Sequence, residues 1–179
     1  MTREALDYGN ALYDLAVEEG LEEELLEQLT AVSHIFRENR EYLRLLSSPA
    51  LPKAERCDLL DQAFRGSVQP YLLNFLKLLC ANGLIRQTGD CQTQFRKRFN
   101  RDRGILEARA VTAVPLTEEL RARLAEKLAQ LTGKQVDLQT AVDPGVLGGV
   151  RLEMDGKQLD GTVRTRLDGL RKSLREAVL

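Results

Sequence analysis

The stretch GILEARAVTAVP, residues 104–115, separates two parts of the chain that have different sequence periodicities. From Ile105 onward apolar and charged residues alternate, so every second side chain shares one face while Glu107 and Arg109 take the other. The shared face holds Leu106, Ala108, Ala110, Thr112 and Val114. This alternation predicts a half-buried β-strand that Pro115 ends, because proline cannot donate to a strand ladder.

The residues before this strand have helical periodicity and no strand pattern. Glycine, serine and proline positions divide them into six segments. The predicted helices cover residues 4–18, 21–39, 41–47, 53–65, 70–82 and 86–103. Since short connections between consecutive helices are typical of a bundle, we predict an N-terminal six-helix bundle over residues 1–104.

The residues after the strand carry helix and strand signals in turn. Thr117 is a suitable N-cap for a helix with a leucine stripe (Leu120, Leu124, Leu128 and Leu131) that ends at Gly133. Alternating residues then predict strands over 136–142 and 150–154, and a last amphipathic helix covers 163–178. The chain is therefore predicted to be α+β, with a small strand-helix-strand-strand-helix domain over residues 105–179.

Composition and charge exclude several classes of protein. The formal net charge is -1 and the pI is about 6.0, so the molecule as a whole has no field that would attract nucleic acid or an anionic membrane. No apolar run approaches the roughly 18 residues of a membrane-spanning helix, and the N-terminus lacks a targeting pattern. Cys57, Cys80 and Cys91 form no CxxC pair, so we expect reduced, mostly buried thiols and no metal site. A cytosolic or peripheral protein is expected.

The inventory of side chains gives little support to a catalytic site. His34 is the only histidine and lies in a leucine-rich helical segment, so a structural role is favoured over a catalytic triad. Asp143, Asp155 and Asp160 each lie beside glycine or proline, where aspartate favours turns. Residues 145–149 lack both the spacing and the strand-to-helix context of a phosphate-binding loop. We predict a protein that is not an enzyme and binds no cofactor, metal or small-molecule substrate.

A basic run over residues 96–103 supports an alternative function, that of an RNA-binding or regulatory adaptor. Phe95 and Phe99 interleave with the basic side chains, as in surfaces that stack on bases. These two rings are four residues apart and therefore share one helical face, which favours docking into the bundle while the charged side chains reach water. The run is predicted to be a solvated helix face rather than a nucleic-acid site.

Two of the predicted helices carry more apolar surface than a bundle exterior needs. Apolar residues cover most of the first helix, and the fifth helix, over 70–82, leaves only Asn74 and Lys77 as a polar line. Either both helices lie centrally, or a shared flank forms a groove that receives an amphipathic helix. Between Glu4 and Phe36 there are nine acidic residues and no Lys or Arg, which favours a basic or polar-positive guest helix. The residues alone leave both interpretations open.

Four segments resemble the delta subunit of rotary ATP synthase, whose mitochondrial counterpart is the oligomycin-sensitivity-conferring protein. They are YGNALYDLA at 8–16, FLKLLCANG at 75–83, VTAVPLT at 111–117, and residues 136–154 with the pair Gly148-Gly149. The likeness covers the whole chain in the family's order. Gly9 departs from the family, which usually has Ala there, and we expect it to loosen the first helix, since glycine costs about 1 kcal/mol against alanine. Leu84 and Ile85 also depart, because an Arg is common at that point.

The resemblance implies a stator subunit that links the catalytic head to the peripheral stalk. The N-terminal bundle would bind N-terminal segments of the alpha subunits, with one segment in the groove between the first and fifth helices. The residues implied at that groove are Tyr8, Ala11, Leu12, Leu15, Phe75, Leu76 and Leu79. The C-terminal domain would grip the b subunits, for which the apolar seam of the last helix offers Leu167, Leu170 and Leu174. The implied location is peripheral, at the cytoplasmic face of a bacterial cell membrane, without direct insertion.

Overall fold

The computed structural model describes residues 2–146, 149–154 and 157–160. The chain divides into two compact units, Met1–Phe99 and Asn100–Leu179, which we call the helical unit and the sheet unit. The first consists of helices, and the described part of the second contains a mixed sheet and one further helix, so the predicted α+β class is confirmed. The predicted last helix over 163–178, with Leu167, Leu170 and Leu174, lies outside the described residues, as does Asp155.

Six α-helices follow one another from the N-terminus. They are α1 Arg3–Glu19, α2 Glu22–Glu38, α3 Arg40–Leu46, α4 Lys53–Phe64, α5 Pro70–Ala81 and α6 Thr88–Asp102. A short 3-10 turn, Ile85–Gln87, precedes α6. The predicted helix bounds agree with these to within two residues, because capping and breaking residues define the ends. The Thr2 hydroxyl accepts the Ala5 N–H at 3.2 Å, and Gly20 ends α1 in the left-handed conformation at φ 68°.

One hydrophobic core joins these helices. Its largest fully buried side chains include Leu25, Leu29, Leu72, Leu76 and Phe95. On the helices that carry these side chains, the buried residues follow one another at helical spacing. Full burial of one such side chain stabilises the fold by roughly 1.5–3 kcal/mol. Two of the three thiols, Cys80 and Cys91, are also buried, as predicted.

The sheet unit contains four described strands and one helix. They are β1 Ile105–Thr112, α7 Glu118–Thr132, β2 Gln135–Val142, β3 Val150–Met154 and β4 Lys157–Asp160. The strand order is β2-β1-β3-β4, with β1 parallel to β2 and the other two pairings antiparallel. Helix α7 makes the crossover between the parallel strands, beginning at the Thr117 cap and ending at Gly133 in the left-handed conformation. Leu128 of α7 packs with Leu138, Ala108 and Ala110 in a second small core.

Several predictions for this unit are wrong in detail. Strand β1 ends at Thr112, whose hydroxyl donates to the Val114 carbonyl at 2.7 Å, and Val114 is 68% exposed instead of facing the core. Leu131, predicted to belong to the packed stripe of α7, is 82% exposed. Asp160 is the last residue of β4, a strand that the sequence pattern did not predict, and lies opposite Arg151 of β3 in the register. The turn predicted beside it involves Gly161, which lies outside the described residues. Asp143 does form the predicted turn, since its carboxylate accepts the Gly145 N–H at 2.9 Å.

Candidate helix-docking site

Helices α1 and α5 are tied together by side chains at both ends. The rings of Tyr8 and Phe75 meet edge to face with their centroids 6.5 Å apart, and the Asn82 side-chain amide donates to the Tyr8 hydroxyl at 3.1 Å. At the other end, a hydrogen bond to the carboxylate of Glu19 raises the pKa of Tyr71. Since Tyr8 lies early in α1 and Asn82 directly after α5, whereas Glu19 ends α1 and Tyr71 begins α5, the two helices run in opposite directions.

Helix α1 is held against α6 by an unusually close approach at Gly9. A Cβ atom at this position would lie 2.8 Å from the carbonyl oxygen of Cys91 and 2.9 Å from Cβ of Gln94. The Gln94 amide also donates to the Asn10 side chain at 3.0 Å. Gly9 therefore lets two helix backbones pack where alanine would not fit, and this fixes the position from which Tyr8 reaches α5. The expectation that Gly9 merely loosens the helix missed this contact.

The predicted groove residues divide into two groups by exposure. Leu12, Phe75, Leu76 and Leu79 are buried in the core, with at most 7% of their surface exposed. A side chain buried to this extent offers almost no area to a partner. The remaining members, Tyr8 and Leu15, are half-buried, and Ala11 is exposed. Of the predicted groove residues, these three, all on α1, are the ones with area exposed to a partner.

Leu78 of α5 is an exposed apolar residue that the sequence analysis did not place at the site. It is 49% exposed, and it follows Phe75 by three residues and Tyr71 by seven, so it shares their side of the helix. This spacing is visible in the sequence, but it does not distinguish Leu78 from the buried Leu79 beside it. We call Tyr8, Ala11, Leu15, Tyr71 and Leu78 the α1–α5 surface.

Acidic side chains border this surface on α1. Glu4, Asp7 and Glu18 are exposed and, at helical spacing, lie on the same side of α1 as Ala11 and Leu15. Because these three carboxylates lie beside the apolar residues of α1, the α1–α5 surface suits an amphipathic helix with basic residues beside its apolar stripe.

Two arginines of the basic run over 96–103, and the ring of Phe95 before it, make contacts within the fold. Phe95 is fully buried against Tyr13, with ring centroids 5.2 Å apart, so it cannot stack on a base. The Arg98 guanidinium lies 4.8 Å from the centre of the Tyr13 ring and 2.7 Å from the Asp14 carboxylate. Arg96 donates to the Thr30 hydroxyl at 3.3 Å. These contacts favour the structural interpretation of the run over the RNA-binding one.

The single histidine has a surface position and a local partner. His34 is exposed on α2, where its Nδ1 lies 3.3 Å from a Glu38 carboxylate oxygen one helical turn away. Within the described ranges, no group of three or more His, Cys, Asp or Glu side chains is arranged to hold a metal ion. The helices that the structure describes are each too short or too polar to cross a bilayer.

Comparison with known proteins gives a consistent result over almost the whole chain. A family model described as ATP synthase delta (OSCP) subunit matches residues 5–174. Relatives named ATP synthase subunit delta include one from Clostridioides difficile, 30% identical over 172 residues, which span 96% of this chain and 95% of that protein. Another, from Desulfitobacterium hafniense, is 34% identical over 173 residues and 95% of each chain.

One similar solved structure belongs to a cryo-electron microscopy model of the Toxoplasma gondii mitochondrial ATP synthase hexamer. The superposition has a TM-score of 0.73 and covers 97% of this chain and 98% of the matched one. Because the sequences are only 20% identical, this likeness concerns the fold alone.

Proposed function

The chain belongs to the ATP synthase delta (OSCP) subunit family, and from this premise we propose that its α1–α5 surface binds the N-terminal segment of an alpha subunit. The chain is a non-catalytic, stator-type subunit of ATP synthase. Such a subunit acts by binding alone: it resists torque by tying the catalytic head to a part of the complex that does not rotate. In this chain the α1–α5 surface would make the tie to the head.

The exposed apolar strip on two adjacent helices is the observation that carries this proposal. Leu78 is 49% exposed in the last turn of α5, an apolar helix, although its neighbours Leu76 and Leu79 are completely buried. Ala11 and Leu15 lie on the side of α1 that also carries Tyr8, which reaches Phe75 of α5. A helix laid along this strip would cover all of these side chains at once, which is the usual mode of helix-in-groove recognition.

The interface expected here is small. A single helix on five partly exposed residues buries less than the roughly 800 Å² per partner of a standard interface, so one such contact is weak. A stator must nevertheless stay attached under load. We propose that the strength of the tie comes from several weak contacts acting together, since linked sites raise the effective concentration of each binding event.

Each unit of the chain has its own proposed partner. We propose that the six helices act as one bundle over residues 1–104 that holds the head, and that residues 105–179 hold the b subunits of the peripheral stalk. The residues proposed at the stalk contact, Leu167, Leu170 and Leu174, lie outside the described part of the chain. The proposed location is peripheral, at the cytoplasmic face of a bacterial cell membrane.

A peptide titration tests the α1–α5 surface directly. A synthetic peptide of the alpha-subunit N-terminus from the same organism is titrated into the full-length protein, with the dissociation constant measured by calorimetry. Burying the exposed half of a leucine is worth about 1 kcal/mol, so Leu78→Gln is expected to weaken binding roughly five- to tenfold. Leu131→Gln, on α7 of the sheet unit, removes an apolar side chain that is 82% exposed and serves as the matched control.

The comparison of the two variants can also rule out the α1–α5 surface. Circular dichroism must show that both variants keep the helix content of the parent protein. If Leu78→Gln and Leu131→Gln then bind the peptide equally well, the α1–α5 surface is not the docking site, even though the chain remains a member of the family.

A further inference from the structure

A second surface of the helical unit carries the opposite charge. An open cleft of about 650 Å³ lies between the end of α2, helix α3 and the start of α6. Four arginines line it, Arg37, Arg40, Arg44 and Arg86, against one acidic residue, Asp90. We propose that this arginine cleft binds an acidic peptide segment of a partner protein. The inference stands on residues that the α1–α5 surface does not use.

Three of the four arginines have no partner among the side chains that the structure describes. Among the described residues, the guanidinium groups of Arg37, Arg40 and Arg44 form no ion pair and no side-chain hydrogen bond, and all three are exposed. Arg86 differs, because its Nε donates to the Ser47 hydroxyl at 3.0 Å, which fixes it at the cleft wall. Elsewhere in the unit an exposed arginine can find a partner, as Arg65 does with Asp61 at 3.1 Å. The cleft is thus a local concentration of uncompensated positive charge.

Such a concentration favours the binding of an anion. Like charges around a concave surface raise the local potential, and the potential is stronger in a cleft than on a flat surface because low-dielectric walls focus the field. Guanidinium groups bind carboxylates in a planar, two-pronged geometry. A partner with several carboxylates would therefore gain hydrogen bonds and also relieve the repulsion among the arginines.

The spacing of the arginines favours a peptide over a single small anion. Arg40 and Arg44 are one helical turn apart on α3, which places their Cα atoms about 6 Å apart along the axis. Carboxylates one turn apart on a partner helix, or two residues apart on an extended strand, have a similar separation. Arg37 and Arg86 widen the charged area further, beyond what one phosphate group can contact. The chemistry thus fits a segment with several acidic residues.

Fluorescence anisotropy with a labelled decaglutamate peptide tests the inference on the full-length protein. The cleft variant combines Arg37→Gln, Arg40→Gln and Arg44→Gln. A control variant removes the same total charge from exposed positions on α4, α6 and α7 through Lys53→Gln, Lys97→Gln and Lys127→Gln. We expect saturable binding by the parent protein, at least tenfold weaker binding by the cleft variant, and a change of less than threefold in the control. Thermal melts confirm that both variants fold.

Three outcomes would overturn the inference. The first is an absence of saturable binding to the parent protein, and the second is an equal loss of affinity in the two variants, which would show non-specific attraction to net charge. The third comes from a competition arm with inorganic triphosphate. If triphosphate binds the cleft more tightly than the peptide does, the cleft is a small-anion site and not a peptide site. None of these outcomes affects the titration at the α1–α5 surface, which uses different residues and a different peptide.

Discussion

Replacing Gly9 with alanine should destabilise the protein, although alanine is the better helix former. In an isolated helix the substitution would gain about 1 kcal/mol. In this structure the new Cβ would lie 2.8 Å from the backbone oxygen of Cys91 and 2.9 Å from Cβ of Gln94, so α1 must move away from α6. Overpacking of this kind costs typically about 1–3 kcal/mol, and the contact with a backbone atom places it in the upper part of that range. The expected net loss is about 1–2 kcal/mol.

Gly89 provides the matched control. It lies in the first turn of α6, has no positive φ, and a Cβ added there would meet no atom within 4 Å. Gly89→Ala should therefore stabilise the protein by about 0.4–1 kcal/mol, mainly because the unfolded chain loses conformational freedom. Urea denaturation followed by far-ultraviolet circular dichroism measures both changes. The reasoning is refuted if Gly9→Ala raises the unfolding midpoint as Gly89→Ala does, because α1 and α6 would then not be in close contact.

Two further predictions concern buried polar groups. Arg56 is 8% exposed, and its Nη1 donates to the carbonyls of Leu46 and Cys80 at 3.2 Å each. Arg56→Met should therefore lower the free energy of unfolding by about 2–4 kcal/mol in urea denaturation, because both carbonyls lose their donor. An unchanged unfolding midpoint would contradict these hydrogen bonds. Burial raises the pKa of Cys91 to about 11 from 9.0, with a smaller contribution from Asp90. Because only the unfolded thiol ionises between these pH values, stability should fall as the pH rises from 9 toward 11 in the parent protein and fall less in Cys91→Ala.

The helix bounds could be predicted from sequence because local chemistry determines them. Pro70 begins α5 and a left-handed Gly20 ends α1, and each of these residues acts through its own backbone without regard to the rest of the fold. The strand at 105–112 was also predictable, since alternation over eight residues has no helical equivalent. Strand β4 was missed because its four residues, KQLD, contain a single apolar side chain and form a strand only by pairing with β3.

The exposed residues of the proposed docking surface could not be separated from the core by sequence alone. Leu76, Leu78 and Leu79 are the same residue type within one turn of one helix, yet Leu78 is 49% exposed and the other two are completely buried. The difference depends on which helices pack against α5 and from which side, which is a property of the whole unit. The same holds for Gly9. The sequence shows that a glycine destabilises an isolated helix, but it does not show the close contact with α6, some 80 residues further along the chain, that this glycine permits.

The two surfaces of the helical unit differ in charge, so each would select a different partner. The α1–α5 surface is bordered by Glu4, Asp7 and Glu18, whereas the arginine cleft has four cations and one acid. A basic helix is attracted to the first and repelled by the second, and an acidic segment behaves in the opposite way, so charge alone discriminates between them. Each electrostatic contribution weakens as salt screens it. Raising the ionic strength should therefore weaken peptide binding at both sites while leaving the apolar contribution of Leu78 intact, and the ratio between parent and Leu78→Gln affinities should stay constant with salt.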